Sequence, residues 1–577
     1  MNLAAVYHRR TPSMCYSTDG HDVVINIMTG KDVDAVYLVH EDPFVQVLVG
    51  EPWWFGVRKK MKPSRELANH MIYSVHVQAK HRRLMYYFEI EADGETYCYM
   101  ENKFCKKSEL DEMFSHQFKF SWIHADEIFT PPAWVGDSVW CQIRPDRFAR
   151  HHDAPPQADN LRSWDDTLPD ERYGGTLKGI TEHLDYLQEL GITGVYMMPI
   201  FQSASHHKYD TDDYFKIDRD FGTEEDLREL IAEAHKRGIH VMLDIVFNHC
   251  GLGFEPWKDV LEKGRKSKYF DWFYINDENG LHKDDPFTED DRFYSFGFEA
   301  SMPKFNTSNP EVIQFCCDIS AYWIKTCDID GIRFDVGDEL SNKFLRTVRE
   351  KTKELKPDLF LLGENWQDSL QWLQGDEYDS MMNYPFWSTV YDYWHNKNLT
   401  ARDFAYTMNI CHTRYPDPVN RVLLNILDTH DTVARFEAGV GEDALLQKIL
   451  VALTMTGVPC FYYGTEIAMR ESPELLDRVT MPWDDIEAGK YDDFRKKVTD
   501  LIAMRYAHKE LRENEVTYQF DEVHPRLVSY IKGDKIKVIL NAGDDAVSVA
   551  DQGEILFANR YQNGTLEAGG SLVILLA

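Results

Sequence analysis

The sequence has little positive charge for its length and no long uninterrupted apolar run. Its 577 residues include 63 Lys and Arg against 96 Asp and Glu, which gives a net charge of −33. Such an acidic chain is repelled by polyanions, so nucleic acid and anionic membrane surfaces are excluded as main partners. The longest apolar stretch, 449–463, is interrupted by Gly457 and Pro459 and is too short to span a bilayer. No membrane span is therefore predicted.

Two further absences concern export and metal binding. Residues 1–10 lack an apolar segment of signal-peptide length, and their basic residues follow the short apolar stretch instead of preceding it. The ten cysteines include no Cys-x-x-Cys pair, and several, such as Cys316, Cys317 and Cys460, stand beside apolar residues. They are typical of small buried hydrophobes in a reducing compartment, not of zinc ligands. We therefore expect a cytoplasmic protein.

The two ends of the chain are rich in β-type segments. With 577 residues and 43% hydrophobic content, the chain is long enough for two to four domains. Alternating or β-branched segments at 22–27, 35–40 and 83–90, separated by turn residues, predict a small β-sandwich over residues 1–122. Short β segments such as 536–540 return after residue 505 and predict a C-terminal antiparallel β domain over residues 505–577.

Between residues 123 and 504, apolar strands alternate with amphipathic helices. The helix expected at 223–237 begins with a capping-box pattern at Thr223 and Asp226, and Gly238 can end it. Motif residues collect at many strand ends, which favours an α/β fold with a closed (β/α)8 TIM barrel over an open doubly wound sheet. A polar stretch at about 250–301 predicts an inserted subdomain. The eight predicted strands are 139–143, 194–199, 239–244, 331–335, 360–364, 381–384, 422–427 and 459–463.

Two of these strands, 331–335 and 360–364, end in the pair of acids that glycosidic bond cleavage requires. One carboxylic acid must protonate the departing oxygen while one ionised carboxylate attacks the sugar carbon. Arg333 and Asp335 lie two apart on one strand and point to the same side, so the guanidinium is expected to favour the ionised carboxylate. Asp335 is thus predicted to be the nucleophile and Glu364 the general acid, later the general base. Asp431, beside His430, is predicted to stabilise charge in the transition state.

Four segments resemble the ordered signature regions of the α-amylase family, glycoside hydrolase family 13. The stretch Met302-Pro303-Lys304-Phe305-Asn306 is also similar to the Met-Pro-Lys-Leu-Asn signature of the neopullulanase, cyclomaltodextrinase and maltogenic amylase group. The resemblance extends over nearly the whole chain. The four segments are Asp244-Ile245-Val246-Phe247-Asn248-His249, Gly331-Ile332-Arg333-Phe334-Asp335, Gly363-Glu364-Asn365-Trp366 and Asp428-Thr429-His430-Asp431.

The resemblance implies a retaining hydrolase of α-glucans. In that mechanism Asp335 forms a glycosyl-enzyme ester, Glu364 acts as acid and then base, and Asp431 stabilises the oxocarbenium-like state. The implied substrates are cyclodextrins, maltooligosaccharides and pullulan, cut at α-1,4 and in part at α-1,6 bonds, with some transfer to sugar acceptors. The implied substrate-binding residues are Tyr209 under the sugar at the cleavage point, His249 and His430 at its hydroxyls, Arg333 beside the nucleophile, and Trp366 on the acceptor side.

The resemblance also implies an assembly. In this group the N-terminal domain resembles a starch-binding module and reaches over the active site of a second subunit, so a homodimer through the N-terminal domain is expected. Trp53-Trp54-Phe55 is a candidate for that contact. The core of the sandwich explains each of these aromatics equally well.

The chain departs from the family pattern where many relatives bind calcium. The stretch 150–156, Arg-His-His-Asp-Ala-Pro-Pro, replaces an Asn- and Asp-rich loop, and Thr176 stands where an Asp ligand often occurs. Calcium requires several hard oxygen ligands, and the cation Arg150 opposes it. The sequence therefore predicts no metal site and no other cofactor. Phe305 and Asn365, which also depart from the pattern, leave the bond preference open.

Two alternatives remain at this stage. One is an oligo-1,6-glucosidase or a transglycosylase on the same scaffold. A product profile distinguishes either enzyme from the α-glucan hydrolase described above. The other is a non-catalytic carbohydrate-binding protein, which is expected to have lost at least one of the three acids. All three are present.

Overall fold

The structure is a computed structural model that describes residues 1–110, 116–152, 161–165, 171–432, 440–470, 478–550 and 552–577. Along the chain it contains two facing antiparallel sheets, an eight-stranded parallel barrel and a C-terminal antiparallel sheet. The predicted fold class is thus confirmed. Across these ranges, every helix is too short or too polar to cross a bilayer.

The N-terminal part is a sandwich of two sheets, ordered β1-β2-β6-β5 and β4-β3-β7-β8-β9, with β10 paired to β7. Val23, Ile25, Leu38 and Phe88 from the inner faces form its core. The elements are β1 Cys15–Ser17, β2 Asp22–Thr29, β3 Ala35–Glu41, α1 Val45–Val49, β4 Val57–Lys60, β5 Lys62–Glu66, β6 Met71–Gln78, β7 Leu84–Ala92, β8 Glu95–Tyr99, β9 Phe104–Lys106 and β10 Phe118–Phe120.

The barrel strands are short and are buried on both faces, as their continuous apolar sequences predict. Their order is β18-β17-β16-β15-β12-β11-β20-β19, and a parallel bridge between Met382 and Leu424 closes the ring. The strands between residues 140 and 462 are β11 Trp140–Ile143, β12 Gly194–Met197, the hairpin β13 Phe201–Ser203 and β14 Thr211–Ile217, β15 His240–Ile245, β16 Gly331–Phe334, β17 Phe360–Gly363, β18 Ser380–Met381, β19 Leu424–Ile426 and β20 Val458–Tyr462.

Helices cover the outside of the barrel. In α5, both hydrogen bonds of the predicted capping box between Thr223 and Asp226 are present, and Gly238 follows in the left-handed region with φ +71°. The helices are α2 Pro145–Phe148, α3 Leu177–Glu182, α4 Leu184–Leu190, α5 Glu224–Lys236, α6 Glu255–Lys263, α7 Pro310–Cys327, α8 Asn342–Leu355, α9 Tyr384–His395, α10 Ala401–Thr413, α11 Asp417–Asn420, α12 Glu442–Thr454, α13 Trp483–Glu487 and α14 Asp492–Ala507.

The long excursion after β15 contains α6 and short bridges instead of a regular sheet. His249 pairs with Lys304 and Phe273 with Phe305, which ties the ends of the excursion together beside the barrel mouth. Trp257 packs against Phe273 with ring centroids 4.8 Å apart. The aromatic side chains of the excursion pack together and hold it next to the carboxyl ends of β15 and β16.

The C-terminal part is an antiparallel sheet ordered β21-β22-β23-β26-β24, with β25 paired to β26. It packs against α12 and α14: Gln447 of α12 donates to the backbone oxygens of Asn541 and Gly570, both inside the interface. The strands are β21 Val516–Gln519, β22 Leu527–Lys532, β23 Ile536–Asn541, β24 Val547–Ser548, β25 Gly553–Gln562 and β26 Thr565–Leu576.

Candidate active site

One buried arginine binds three carboxylates at the carboxyl ends of neighbouring barrel strands. Arg333 lies in β16, and its Nη1 donates to Asp335 Oδ1 at 2.8 Å and to both oxygens of Asp244 at 2.9 and 3.0 Å. Its Nη2 forms an ion pair with Glu364 Oε2 at 2.9 Å. Parallel strands bring these ends to one edge, so residues far apart in sequence meet around one cation.

The second oxygen of Asp244 is shared by two tyrosines. Tyr196 and Tyr209 each donate a hydroxyl to Asp244 Oδ2 at 3.0 Å. With Arg333, these contacts satisfy a carboxylate that is almost fully buried in the barrel. Asp244 therefore holds both the Arg333 guanidinium and the Tyr209 hydroxyl in place.

Glu364 is held at both oxygens. Its Oε2 accepts from the backbone N–H of Val336 at 2.9 Å, and Trp366 Nε1 lies 3.4 Å from its Oε1. Val336 follows Asp335 directly and has φ +47°, which is strained for a β-branched residue. This sharp turn after the nucleophile candidate is what aims the Val336 N–H at the other acid.

Asp431 joins the cluster through histidine. His430 Nε2 lies 3.1 Å from Asp431 Oδ2 and 2.7 Å from the Tyr209 hydroxyl, while Gln142 Nε2 lies 2.8 Å from its Nδ1. The His430 and Tyr209 rings stack with centroids 5.4 Å apart. A chain of polar contacts thus runs from Gln142 in β11 to the acid after β19, and residues in or directly after six of the eight barrel strands belong to one network.

Burial shapes the protonation equilibria in this network. Burial raises the pKa of Asp335 well above its ordinary value, and although Arg333 lowers it, the negative charges of Glu364 and Asp244 add to the rise. Burial likewise raises the pKa of Asp244 to about 6, against the opposing effect of Arg333. The guanidinium was expected from sequence to dominate at Asp335. The structure differs because the site is buried and holds several acids around one cation.

The two histidines are neutral at neutral pH. Burial lowers the pKa of His249 to about 3, and burial together with Arg333 lowers that of His430 well below its usual range. His249 stacks on Phe296 with centroids 5.0 Å apart, and its Nε2 is buried without a hydrogen-bond partner among the described residues. A neutral imidazole with an available nitrogen, as at His249, suits the binding of hydroxyl groups.

Trp366 lies at the rim of the site. Its ring stacks on Tyr384 with centroids 3.7 Å apart, and 42% of its surface is exposed. This leaves one face of the indole open beside Glu364.

The structure thus brings together all eight residues predicted from sequence: Asp335, Glu364, Asp431, Tyr209, His249, Arg333, Trp366 and His430. Sequence reasoning did not include Asp244, Gln142, Tyr196, Tyr384 and Val336 in the site. Asp244 carried a usable signal, since it is an acid near the end of an apolar strand, as Asp335 is. The other four residues carried no such signal, because each is typical of the sequence of a buried strand or helix.

Comparison with known proteins gives consistent matches along the chain. A family model described as the catalytic domain of alpha amylase matches residues 142–523, and one described as the N-terminal ig-like domain of alpha amylase matches residues 1–124. A cyclomaltodextrinase from Geobacillus thermopakistaniensis is 38% identical over 565 residues, which cover 95% of this chain and 92% of that protein.

One further relative and one solved structure give similar matches. An intracellular maltogenic amylase from Bacillus subtilis strain 168 is 37% identical over 511 residues, covering 88% of this chain and 84% of that protein. A solved cyclomaltodextrinase structure superposes with a TM-score of 0.89 at 32% identity, covering 100% of this chain and 98% of that one. Together with the carboxylates gathered around Arg333, these matches show that the chain belongs to the α-amylase family of glycoside hydrolases.

Proposed function

We propose that this chain is a retaining α-glucan hydrolase that cleaves α-1,4-glucosidic bonds in cyclodextrins, maltooligosaccharides and pullulan. Cleavage of α-1,6 bonds and transfer to sugar acceptors are proposed as secondary activities. The observation that carries the proposal is the pair of acids, Asp335 and Glu364, held by one guanidinium at 2.8 and 2.9 Å. The cyclomaltodextrinase and maltogenic amylase relatives support the substrate class.

The reaction proceeds in two displacements. An oxygen of Asp335 attacks the anomeric carbon while Glu364 gives its proton to the departing glycosidic oxygen, which leaves an ester between sugar and enzyme. Glu364, now ionised, takes a proton from water, and the resulting hydroxide displaces Asp335 from the same carbon. Two inversions retain the α configuration. An acceptor sugar in place of water gives transfer.

The surrounding residues are proposed to position the sugar and stabilise its charge. Tyr209 is fixed by Asp244 and His430, so its ring is a rigid platform beside Arg333. Asp431 and the neutral His430 and His249 are proposed to bind ring hydroxyls as positive charge develops at the anomeric carbon. The open face of Trp366 is proposed to receive the acceptor.

Chromatography of products from β-cyclodextrin, pullulan and starch, supplied side by side, tests this proposal. Faster turnover of the ring than of starch is expected, with Asp335→Asn as the inactive control. Faster turnover of starch contradicts the proposed preference for cyclodextrins over starch. Products from α-1,6-linked oligosaccharides alone favour the oligo-1,6-glucosidase, and transfer products without hydrolysis favour the transglycosylase.

We also propose a homodimer through the N-terminal part. Helix α1 buries none of its residues, and Val47 and Leu48 are 71% and 74% exposed. Trp53 and Phe55 are exposed beside it, so these two do not belong to the sandwich core. A contiguous apolar surface of this kind is typical of a protein interface.

Sedimentation velocity of the wild type and of a Val47→Ser, Leu48→Ser double variant tests the dimer. We expect the wild type to sediment at twice the chain mass and the variant at the chain mass, with a lower ratio of cyclodextrin to starch turnover. A monomeric wild type contradicts the proposal.

The residues around the family calcium position do not fit that ion. Arg150 donates to the carbonyl oxygens of Tyr173 and Arg162 at 2.8 and 2.6 Å, and the Thr176 hydroxyl caps α3 by accepting from Gly179. These oxygens are engaged, and a guanidinium stands among them. Residues 153–156 of the replaced loop lie outside the described residues. We propose that this calcium site is absent, so chelator should leave the melting temperature unchanged.

We further propose that the protein acts in the cytoplasm. All ten cysteines carry free thiols, and nine of them are buried. Free buried thiols are typical of a reducing compartment, and one relative is named an intracellular enzyme. Fractionation of cells producing the native chain tests this, and activity in the medium contradicts it.

A further inference from the structure

Among the residues that the structure describes, Arg144 is a buried cation without a counter-charge at the mouth of the barrel. It directly follows β11, two residues after Gln142, whose amide contacts His430. Only 3% of its surface is exposed, and its Nη2 is buried with no hydrogen-bond partner in the described part of the chain. Within the described ranges, no carboxylate forms an ion pair with it. An uncompensated charge in such a place is costly unless a ligand supplies the opposite charge.

Two acids are candidates to pair with Arg144, and both are already engaged: Asp146, two residues along the chain, and Asp210, which acts on the same His207 as Arg144 does. Asp146 Oδ1 accepts from the backbone N–H groups of Tyr173 and Gly174 at 2.9 Å, and its Oδ2 accepts from Arg147 Nε at 3.0 Å. Asp210 Oδ1 accepts from the Ser203 hydroxyl at 2.5 Å and from that of Ser205. Neither acid is free to turn towards Arg144 without losing these bonds.

Arg478 is a second cation, and its charge affects the same histidines as the charge of Arg144 does. Burial is the main cause that lowers the pKa of His206, to about 3, and Arg144 and Arg478 both lower it further. The same two guanidinium groups lower the pKa of His207 and His430, after burial. The three imidazoles are therefore neutral and neither add to the charge of Arg144 nor balance it. An anion bound at Arg144 would supply the missing opposite charge.

We propose that Arg144 is the centre of an anion subsite next to Tyr209 and His430, and that it binds a phosphate ester carried by the substrate's sugar. This inference rests on the proposed function, because it names a substituent on the same glucan substrate. A phosphate monoester carries −1.5 to −2 charges at pH 7 and offers three acceptor oxygens. The planar fork of arginine matches two of them. The phosphate is bound only, and the bond that breaks remains the glycosidic bond.

The test compares kcat/KM for p-nitrophenyl α-maltoside with that for its esters phosphorylated at O6 or O3 of the non-reducing glucose. The wild type should prefer one ester by about tenfold or more, and Arg144→Met should lower the ester-to-maltoside ratio by about 10- to 100-fold. Using the ratio within one variant cancels losses from folding. Arg150→Met is the matched control, since Arg150 is held by two carbonyls and should keep the wild-type ratio.

Three results would overturn the inference. They are an ester-to-maltoside ratio at or below one in the wild type, a preference that survives Arg144→Met, and inhibition by inorganic phosphate through Arg144 without any ester preference. The last result would assign the subsite to the free ion. In all three, cleavage of the plain maltoside leaves the proposed function intact, whereas failure to cleave any maltoside refutes the proposed function itself.

Discussion

Replacing Arg333 by methionine should move the acid limb of the kcat/KM profile to higher pH. Asp335 must be ionised to attack, so activity falls as the pH drops through its pKa. The guanidinium 2.8 Å away favours the ionised form and opposes the effect of burial. Without it the pKa of Asp335 rises further, and activity is lost at a higher pH than in the wild type.

The size of the shift follows from the contacts. Two unit charges with centres about 4 Å apart interact by about 4 kcal/mol at an effective dielectric constant of about 20, which corresponds to about three pKa units. Three carboxylates share Arg333, and water would enter the space it leaves. We therefore expect a shift of about one to two units for Arg333→Met, about half of that or less for Arg333→Lys, and a fall in kcat of about 10²- to 10³-fold for the methionine variant.

The assay is the initial rate on p-nitrophenyl α-maltoside across pH, with Arg349→Met as control. Arg349 also donates to a buried carboxylate, Asp379, at 2.8 Å, but on the outer helix α8. Its loss should lower thermal stability and leave the acid limb in place. An acid limb at the wild-type pH in Arg333→Met would refute the electrostatic reasoning.

Other predictions concern the setting of the acids and the fold. A Cβ at Gly337 would lie 2.9 Å from the backbone N of Glu364, so Gly337→Ala should lower kcat about 100-fold by displacing the acid, whereas Gly136→Ala, with its nearest atom at 3.9 Å, should not. Trp366→Ala should lower the ratio of transfer to hydrolysis about 2- to 10-fold in product analysis with added maltose, and an unchanged ratio would exclude an acceptor role. Thr223→Ala should cost about 1 kcal/mol in urea unfolding through loss of the helix cap, and an unchanged midpoint would contradict this.

The barrel and its acids were predictable because strand-end positions follow from simple patterns. Eight apolar segments matched the eight strands within a few residues, and the two-residue spacing of Arg333 and Asp335 placed both on one side of β16. The capping box of α5 was predictable for the same local reason. Such features depend only on residues that are close together in sequence, so they can be recognised from a single sequence.

What the sequence did not show depends on residues that meet only in three dimensions. Asp244 pairs with Arg333 across 89 positions, and Gln142 meets His430 across 288. The net direction of the Asp335 pKa was missed for the same reason, because burial and the charges of Glu364 and Asp244 come from other strands. The left-handed backbone of Val336 had no signal either, since valine does not favour it.

The most direct test of the mechanism is the turnover of Glu364→Gln on two substrates. We expect a fall of about 10³-fold or more on maltotriose, whose leaving oxygen needs the proton. A far smaller fall is expected in the first displacement on α-maltosyl fluoride, whose leaving group does not need it. Equal losses on both substrates, or wild-type turnover of maltotriose, would contradict the assignment of Glu364 as the proton donor.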